Sequence, residues 1–322
     1  MDPSQICDMI TTNREYIKLK SNIALQNLAM LHRSFDHVED DACILGLMLN
    51  DSMAALIFSA DYAGSIAISQ RAIDRFQDTR EKYLIANHES VLGRCYTFTL
   101  KYAEGRDYLL MAEANALGLE LTDEVRALLG DILHDLAMNN HHAGGDTEES
   151  ISYLDRALAV LEPTSMRTRK GVCLMGKGNV RFNGQRIEEA LVFYKEAEAF
   201  FEGTESMSNL SAILCNIGMS YTNLGRLDEA EPYLMRALEL RIRLGSYWEI
   251  ANSYYNISDY YRARNEIDRA YDQMLQARDY ALVSQTRGLK LLILGELETM
   301  ALAMGNADAA AEHHKQYLEL DH

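Results

Sequence analysis

The chain has 322 residues, a formal net charge of −17 at pH 7 and only 3 prolines. So little proline suits an almost entirely helical protein, because proline interrupts helix interiors. The negative charge argues against binding to nucleic acid or to a membrane surface, since both need clustered lysine and arginine.

Residues 1–42 are predicted to form an N-terminal helical cap. Ile17, Ile23, Leu28 and Leu31 have the spacing of one amphipathic helix, and a shorter helix is expected around residues 6–10. These residues do not follow the period of the rest of the chain. A stack of helix pairs needs a segment that covers its first exposed face. We therefore divide the chain into a cap, 1–42, and an array, 43–322.

Small residues recur through the array with a fixed period. One position advances in steps of 40 residues, with a single step of 45, and carries Ala72, Ala112, Ala157, Ala197, Ala237 and Ala277. A second position is small in all seven segments: Ser65, Gly105, Ser150, Ala190, Ala230, Ala270 and Ala310. Small side chains allow helices to cross closely, so the array is predicted to contain about seven antiparallel helix pairs. The five extra residues near 118–123 are expected to lengthen a helix or the loop after it.

The clearest repeat is 213–240, ILCNIGMSYTNLGRLDEAEPYLMRALEL. Its small residues Gly218, Ala230 and Ala237 alternate with apolar residues that fill the space between the two helices, and Gly225 supplies the turn. This pattern resembles a tetratricopeptide repeat. The 40-residue period, longer than the common 34, is similar to that of kinesin light chains, Rap regulators and sensory arrays of bacterial signalling proteins. The resemblance implies an all-α, right-handed superhelical solenoid that binds proteins or peptides.

Two short motifs suggest enzymes but fall inside the repeats. Residues 144–148, GGDTE, are similar to the signature of diguanylate cyclases, and residues 171–178, GVCLMGKG, nearly match a phosphate-binding loop. The first occupies the turn between two predicted helices. The second lies within a predicted first helix with no strand before it. We therefore predict that the chain is not an enzyme and needs no cofactor.

The cysteines are far apart in the sequence and form no CxxC pair: Cys7, Cys43, Cys95, Cys173 and Cys215. This spacing predicts reduced thiols packed in helices. The N-terminus lacks the pattern of a signal peptide, and no apolar run has the length of a membrane-spanning helix. Together these features predict a cytoplasmic protein.

The candidate ligand-binding surface is one stripe of the first helices, here called the polar stripe. Positions corresponding to Ile217 and Tyr221 face the partner helix, so the stripe lies on the opposite side, which the resemblance places on the concave groove. Asparagine recurs there although it is a mediocre helix former, and its amide both donates to and accepts from the backbone of an extended peptide. The candidate residues are Asn87, Arg94, Asp135, Asn139, His142, Asn179, Asn183, Asn216, Asn223, Asn252, Tyr255, Asn256, Asp259 and Arg262.

The polar stripe predicts a non-catalytic regulatory module that binds an extended peptide or partner segment, as the sensory part of a bacterial signalling protein. One alternative is an assembly scaffold that binds folded proteins through its convex or end surfaces. Another is a metal or small-molecule sensor, in which residues seven apart share a helix face: His134, Asp135, His141 and His142. The expected partner is a protein or a peptide, and the sequence does not determine the oligomeric state.

Overall fold

The computed structural model describes residues 8–10, 12–13, 26–27, 29–31, 41–59, 61–76, 78, 80–204, 206–284 and 287–321. Most of the predicted cap, 1–42, lies outside these residues, including Ile17, Ile23 and Leu28. Of the cap residues that are described, Ile10 and Leu31 are buried and cluster with Cys43 and Leu47. The chain divides into two compact units, Met1–Val180 and Arg181–His322.

From residue 41 on, the first unit contains six helices and most of a seventh: α1 (Asp41–Ser59), α2 (Tyr62–Phe76), α3 (Lys82–Phe98), α4 (Tyr102–Leu117), α5 (Asp123–His142), α6 (Thr147–Leu161) and α7 (Arg167–Asn183). The unit boundary falls within α7. Helices α1 and α2, α3 and α4, and α5 and α6 pack as pairs. Because only a few residues join the two helices of each pair, the partners run antiparallel. The cores of this unit are built from leucine, isoleucine and alanine side chains of successive helices.

The second unit contains seven complete helices: α8 (Ile187–Phe201), α9 (Met207–Asn223), α10 (Leu227–Leu244), α11 (Tyr247–Ala263), α12 (Ile267–Val283), α13 (Arg287–Ala303) and α14 (Ala307–Asp321). Helices α9 and α10, α11 and α12, and α13 and α14 form pairs. The described parts of the two units contain fourteen helices of at least fifteen residues and no strand. The predicted all-α fold of helix pairs is confirmed.

The recurring small residues lie at helix crossings, as predicted. All six alanines of the first recurring position are completely buried. A Cβ added to Gly218 would lie 2.7 Å from Cγ of Leu234, and one added to Gly93 would lie 2.4 Å from Cγ of Leu109. Contacts this short leave no room for a side chain, so the glycines set the distance between the paired helices.

The turns within pairs of the second unit repeat one backbone conformation. Gly225 and Gly305 have positive φ angles of 71° and 75°, and Asn265, 40 residues from each, has a φ of 60°. Gln185 adopts the same conformation at the start of this unit, with a φ of 60°. Glycine enters this left-handed region without cost, whereas glutamine does not. Half of these turns are therefore not visible as glycine in the sequence.

Part of the five extra residues of the 45-residue step lengthens α5, which has 20 residues against 17 in α3, α7, α9, α11 and α13, and 19 in α1. The GGDTE motif forms the turn after α5, where the Asp146 carboxylate accepts hydrogen bonds from the backbone N–H of Glu148 and Glu149 and caps α6. The GVCLMGKG motif lies inside α7. Both motifs have the helical context that the period predicted.

The cysteine prediction needs one correction. Cys95, Cys173 and Cys215 are free and buried, and burial raises the pKa of the Cys173 thiol to about 12. Cys43, in contrast, is disulfide-bonded. Distance along the sequence did not reveal this bond, because folding brings separated segments together around Cys43. Within the described residues, no helix has the length and apolar character needed to span a membrane.

Candidate functional site

In the first unit, the polar stripe is centred on an ion pair between neighbouring first helices. Arg94 on α3 donates from Nε and NH2 to Oδ2 of Asp135 on α5, at 3.0 and 2.7 Å. Nδ1 of His134 lies 3.4 Å from the other carboxylate oxygen of Asp135. Both members of the ion pair are mostly buried. Arg94 and Asp135 therefore use much of their hydrogen-bonding capacity on each other.

Electrostatics keeps this pair charged. Burial raises the pKa of Asp135, but Arg94 and His134 outweigh burial, and the net pKa is below the usual value of an aspartate. The Asp135 carboxylate in turn raises the pKa of Arg94. The pair thus links α3 to α5 at neutral pH, as a structural element of this surface.

The other predicted residues of the first unit are dispersed. Asn139 is almost completely buried and donates from Nδ2 to Oγ1 of Thr97 at 2.8 Å and to the Tyr102 carbonyl at 3.1 Å. It lies inside the helix packing, where a groove ligand does not reach, so the structure disfavours it as a contact. Asn87 is also buried, whereas Asn179 is half-buried and His142 is exposed at the end of α5. Of the predicted residues in this unit, Arg94 and Asp135 are brought into direct contact.

The metal-sensor alternative finds no support in the described part of the chain, which contains no group of three or more His, Cys, Asp or Glu residues arranged to hold a metal ion. His141 and His142 pack with ring centroids 5.5 Å apart. Burial, and then the neighbouring His142, lower the pKa of His141. The two rings contact each other, and the other two candidates of this cluster, His134 and Asp135, belong to the ion-pair group.

In the second unit, asparagine amides follow the stripe along α9 and α11. Asn223 donates from Nδ2 to the Met219 carbonyl and Asn252 donates to the Trp248 carbonyl, both at 2.9 Å. In each case the bond joins the amide to the backbone one turn earlier in the same helix. It uses one of the two N–H groups and leaves the amide carbonyl outside that bond. These amides are held in place with donor and acceptor capacity remaining. Asn216 on α9 is half-buried, and Asn183 is exposed.

The stripe continues on α11 into an acidic group. Arg262 lies 2.7 Å from Oδ1 of Asp259 and 2.9 Å from Oε2 of Glu296, and so bridges α11 to α13. Burial raises the pKa of Asp259, and Glu296 adds to the rise, although Arg262 opposes it. Burial and these carboxylates also raise the pKa of Tyr255. The second unit therefore brings Tyr255, Asp259 and Arg262 together, and it adds Glu296.

One residue of this region was missed in the sequence. Arg241, on the second helix α10, is buried, and its NH1 lies 3.7 Å from Sγ of Cys215 on α9 and 2.8 Å from Oγ of Ser253 on α11. Asn256 of the stripe donates to the same sulfur at 3.0 Å. The polar-stripe analysis considered first helices alone and therefore left out a side chain that arrives from a second helix. The available signal was the repeat register, in which Arg241 stands at a core position.

Comparison with known proteins identifies the type of repeat. Residues 209–282 match the family model of the tetratricopeptide repeat. A search of curated proteins gave no match.

Solved structures share the fold at low sequence identity. Aspartyl phosphate phosphatase F from Bacillus subtilis is 14% identical, with a TM-score of 0.66 over 100% of this chain and 95% of its own. The Rap conjugation gene regulator of plasmid pLS20, solved in complex with the Phr* peptide, is 12% identical, with a TM-score of 0.61 over 98% of this chain and 95% of its own. A signal transduction ATPase from Pyrococcus horikoshii with a tetratricopeptide repeat sensor is 12% identical, with a TM-score of 0.66 over 99% of this chain and 53% of its own.

These likenesses agree with the helix pairs and the buried small residues described above. At such identities they show the fold and not the activity. The resemblance predicted from the sequence is confirmed: residues 209–282 are tetratricopeptide repeats, in a chain whose fold is that of tetratricopeptide-type helix pairs.

Proposed function

We propose that this chain is a non-catalytic regulatory module that binds an extended peptide, or an extended segment of a partner protein, along the polar stripe. The observation that carries this proposal is the arrangement of asparagine amides on α9 and α11. Asn223 and Asn252 are each fixed by one bond to their own helix and retain donor and acceptor capacity. Amides held in this way recognise a peptide backbone whatever its side chains are.

The solved Rap regulator in complex with a peptide supports the proposal, because a chain with the same fold binds that class of ligand. The name of the phosphatase from B. subtilis refers to an enzyme, and at 14% identity that activity does not transfer to this chain. The motifs that suggested catalysis serve as a turn with a helix cap and as a helix interior. The absence of catalysis remains part of the proposal.

The test uses the only tryptophan of the chain, Trp248, as a reporter. It lies in the first turn of α11, is about half exposed and accepts the bond from Asn252. The probe is a library of synthetic hexapeptides randomised at every position, added while Trp248 fluorescence is recorded. Retained peptides are identified by mass spectrometry after gel filtration.

The stripe variant carries Asn223→Ala and Asn252→Ala. The matched control carries Gln273→Ala and Gln276→Ala, which removes two amides of the same unit on the second helix α12, outside the stripe of first helices. We expect the stripe variant to lose at least about tenfold in affinity, because each lost amide leaves peptide backbone groups unpaired. Equal binding by both variants would refute the stripe as the binding surface.

The scaffold alternative has one specific observation in its favour. Large apolar side chains are exposed where second helices of the second unit end and the next first helices begin: Ile242, Leu244, Tyr247, Trp248, Leu282 and Val283. Exposed apolar side chains that lie close together mark protein interaction sites. A partner retained by the stripe variant and lost on Ile242→Glu would favour the scaffold function.

A further inference from the structure

Arg241 occupies a position that the fold fills with apolar side chains in the other described repeats. The position lies four residues after the recurring alanine of each second helix. There the chain carries Phe76, Ala116, Leu161, Phe201 and Ala281, each no more than 2% exposed. Arg241 is 7% exposed, so its charge is buried in the same layer. A single repeat thus places a cation in what is otherwise core.

Ser253, which Arg241 contacts, is polar, whereas the two neighbouring repeats have an apolar residue at the same position. Ser253 Oγ accepts from NH1 at 2.8 Å. The positions corresponding to Ser253 in the neighbouring repeats are Ile213 and Ile293, both completely buried. Two polar residues in contact stand where the neighbouring repeats have Phe201 with Ile213 and Ala281 with Ile293; in an earlier repeat the position of Ser253 is also polar and carries the buried His88. The paired change indicates a built polar site rather than an isolated packing exception.

Within the described ranges of the chain, the guanidinium has no anionic partner. NH1 donates to Ser253 Oγ, to the Glu249 carbonyl at 3.2 Å and to Cys215 Sγ, none of which is a carboxylate oxygen. Nε is buried and has no hydrogen-bond acceptor. Among the residues that the structure describes, no carboxylate forms an ion pair with Arg241.

An unpaired buried charge is costly, and an apolar side chain at this position avoids the cost. The fold does not need the charge, as five other repeats demonstrate. An uncompensated buried guanidinium with a vacant N–H is, however, suited to a carboxylate, which accepts two parallel N–H bonds from its planar edge.

The location of the guanidinium connects it to the polar stripe. The side chain starts on the second helix α10 and ends between the two first helices α9 and α11, beside Cys215. Asn256 of the stripe contacts the same sulfur. Sulfur is a weak acceptor, so the Asn256 amide loses little when it exchanges this bond for one to a ligand. Asn256 and Arg241 thus share the Cys215 sulfur, which joins the guanidinium to a residue of the stripe.

We propose that Arg241 is the anchor for a carboxylate group of the ligand that binds the polar stripe. This inference rests on the proposed function, and it adds the chemical class of the group that the ligand must carry. The group is either the C-terminal carboxylate of a peptide or an acidic side chain. Binding supplies the missing counter-charge and an acceptor for the Nε proton.

The first experiment needs no peptide. Sodium acetate is titrated into ¹⁵N-labelled protein, and the Nε–H resonance of Arg241 is followed by NMR, with sodium chloride of equal ionic strength as control. The resonance is assigned by its absence from Arg241→Leu. We expect a saturable downfield shift with acetate alone, because the proton gains an acceptor. No shift, or an equal shift with chloride, would overturn the proposal.

The second experiment compares hexapeptide libraries on three proteins: wild type, Arg241→Leu and Arg243→Leu. Leucine already occupies this position in another repeat, as Leu161, so we expect Arg241→Leu to fold, and a thermal melt verifies this. Arg243 is an exposed arginine two residues further along the same helix, and its substitution removes the same charge. A library with free C-termini is compared with an amidated one, both lacking Asp and Glu. A third library is amidated and contains Asp and Glu.

We expect wild type and Arg243→Leu to bind one carboxylate-bearing library at least about tenfold more tightly than the amidated acid-free library, and Arg241→Leu to lose this preference. The free-terminus and acid-containing libraries identify the source of the carboxylate. If Arg241→Leu keeps the preference, the inference is refuted while peptide binding stands. If wild type binds no library, the proposed function fails, and the acetate titration alone decides whether Arg241 is an anion site.

Discussion

Replacing Gly218 with alanine tests whether close helix contact governs this fold. A Cβ at this position would lie 2.7 Å from Cγ and Cδ2 of Leu234 and 3.2 Å from its backbone nitrogen. The matched control is Gly295→Ala in α13, another first helix of the same unit, where an added Cβ meets no atom within 4 Å. Both substitutions remove a flexible residue from a helix interior, so the gain in helix propensity is common to them.

The magnitudes follow from this difference. Gly295→Ala is expected to increase the free energy of unfolding by about 0.5–1 kcal/mol through helix propensity alone. Gly218→Ala has the same gain but adds an overpacking cost of about 1–3 kcal/mol. We therefore expect Gly218→Ala to be less stable than Gly295→Ala by about 1–3 kcal/mol.

The assay is urea unfolding followed by far-UV circular dichroism, with midpoint and slope fitted for each variant. A second background, Leu234→Ala, removes the two side-chain atoms nearest to the new methyl group and keeps the backbone nitrogen at 3.2 Å. In that background the cost of Gly218→Ala should be smaller than in the wild type, and the difference measures the coupling between the two positions. Equal stabilisation by Gly218→Ala and Gly295→Ala in the wild-type background would refute the contact argument.

Three further outcomes are expected. Ala237→Leu should lower the free energy of unfolding by about 1–3 kcal/mol because the site is completely buried, whereas Glu239→Leu, on the exposed side of the same helix, should change the urea midpoint little; equal effects would contradict the register. Asp135→Asn should lower stability at neutral pH, because an aspartate whose pKa is lowered by folding stabilises the fold at pH values above its unfolded pKa of about 3.9. This contribution is lost as the pH falls through the folded pKa, so urea titrations across the acid range should show the stabilities of the two proteins converge. A difference in stability that stays constant with pH would contradict the pairing with Arg94. Zinc or nickel should leave the melting temperature unchanged, since metals that bind the native state raise it, and a rise would restore the metal-sensor alternative.

The sequence predicted the parts of the fold in which a limit on side-chain size recurs once in every repeat. Only a small side chain fits at a close helix crossing, so the buried alanines from Ala72 to Ala277 made the period visible in the sequence. The left-handed turns were only half visible, because Gln185 and Asn265 adopt the same conformation as Gly225. Several residue types can adopt the left-handed conformation of these turns, whereas only small residues fit at a close helix crossing.

The candidate site was less predictable. Helical spacing placed Asn139 and Asn223 on the same stripe, but the neighbouring pair buries Asn139 and leaves Asn223 exposed. That difference depends on contacts between repeats, which spacing within one helix does not contain. Arg241 is the opposite case. Comparison of the same position in successive repeats shows an arginine among apolar residues, and the pattern of a single helix does not show this difference.

Several side-chain hydrogen bonds between neighbouring repeats join positions 43 apart in the sequence. The packing between described helices likewise joins helices that are adjacent or next but one in the chain, as in a solenoid that grows one repeat at a time. In a chain connected in this way, whole repeats can be deleted or inserted. Removal of residues 227–266, one full period of the second unit, would bring α9 against α12 with the recurring small residues still in phase, and would shorten the protein without requiring a new core.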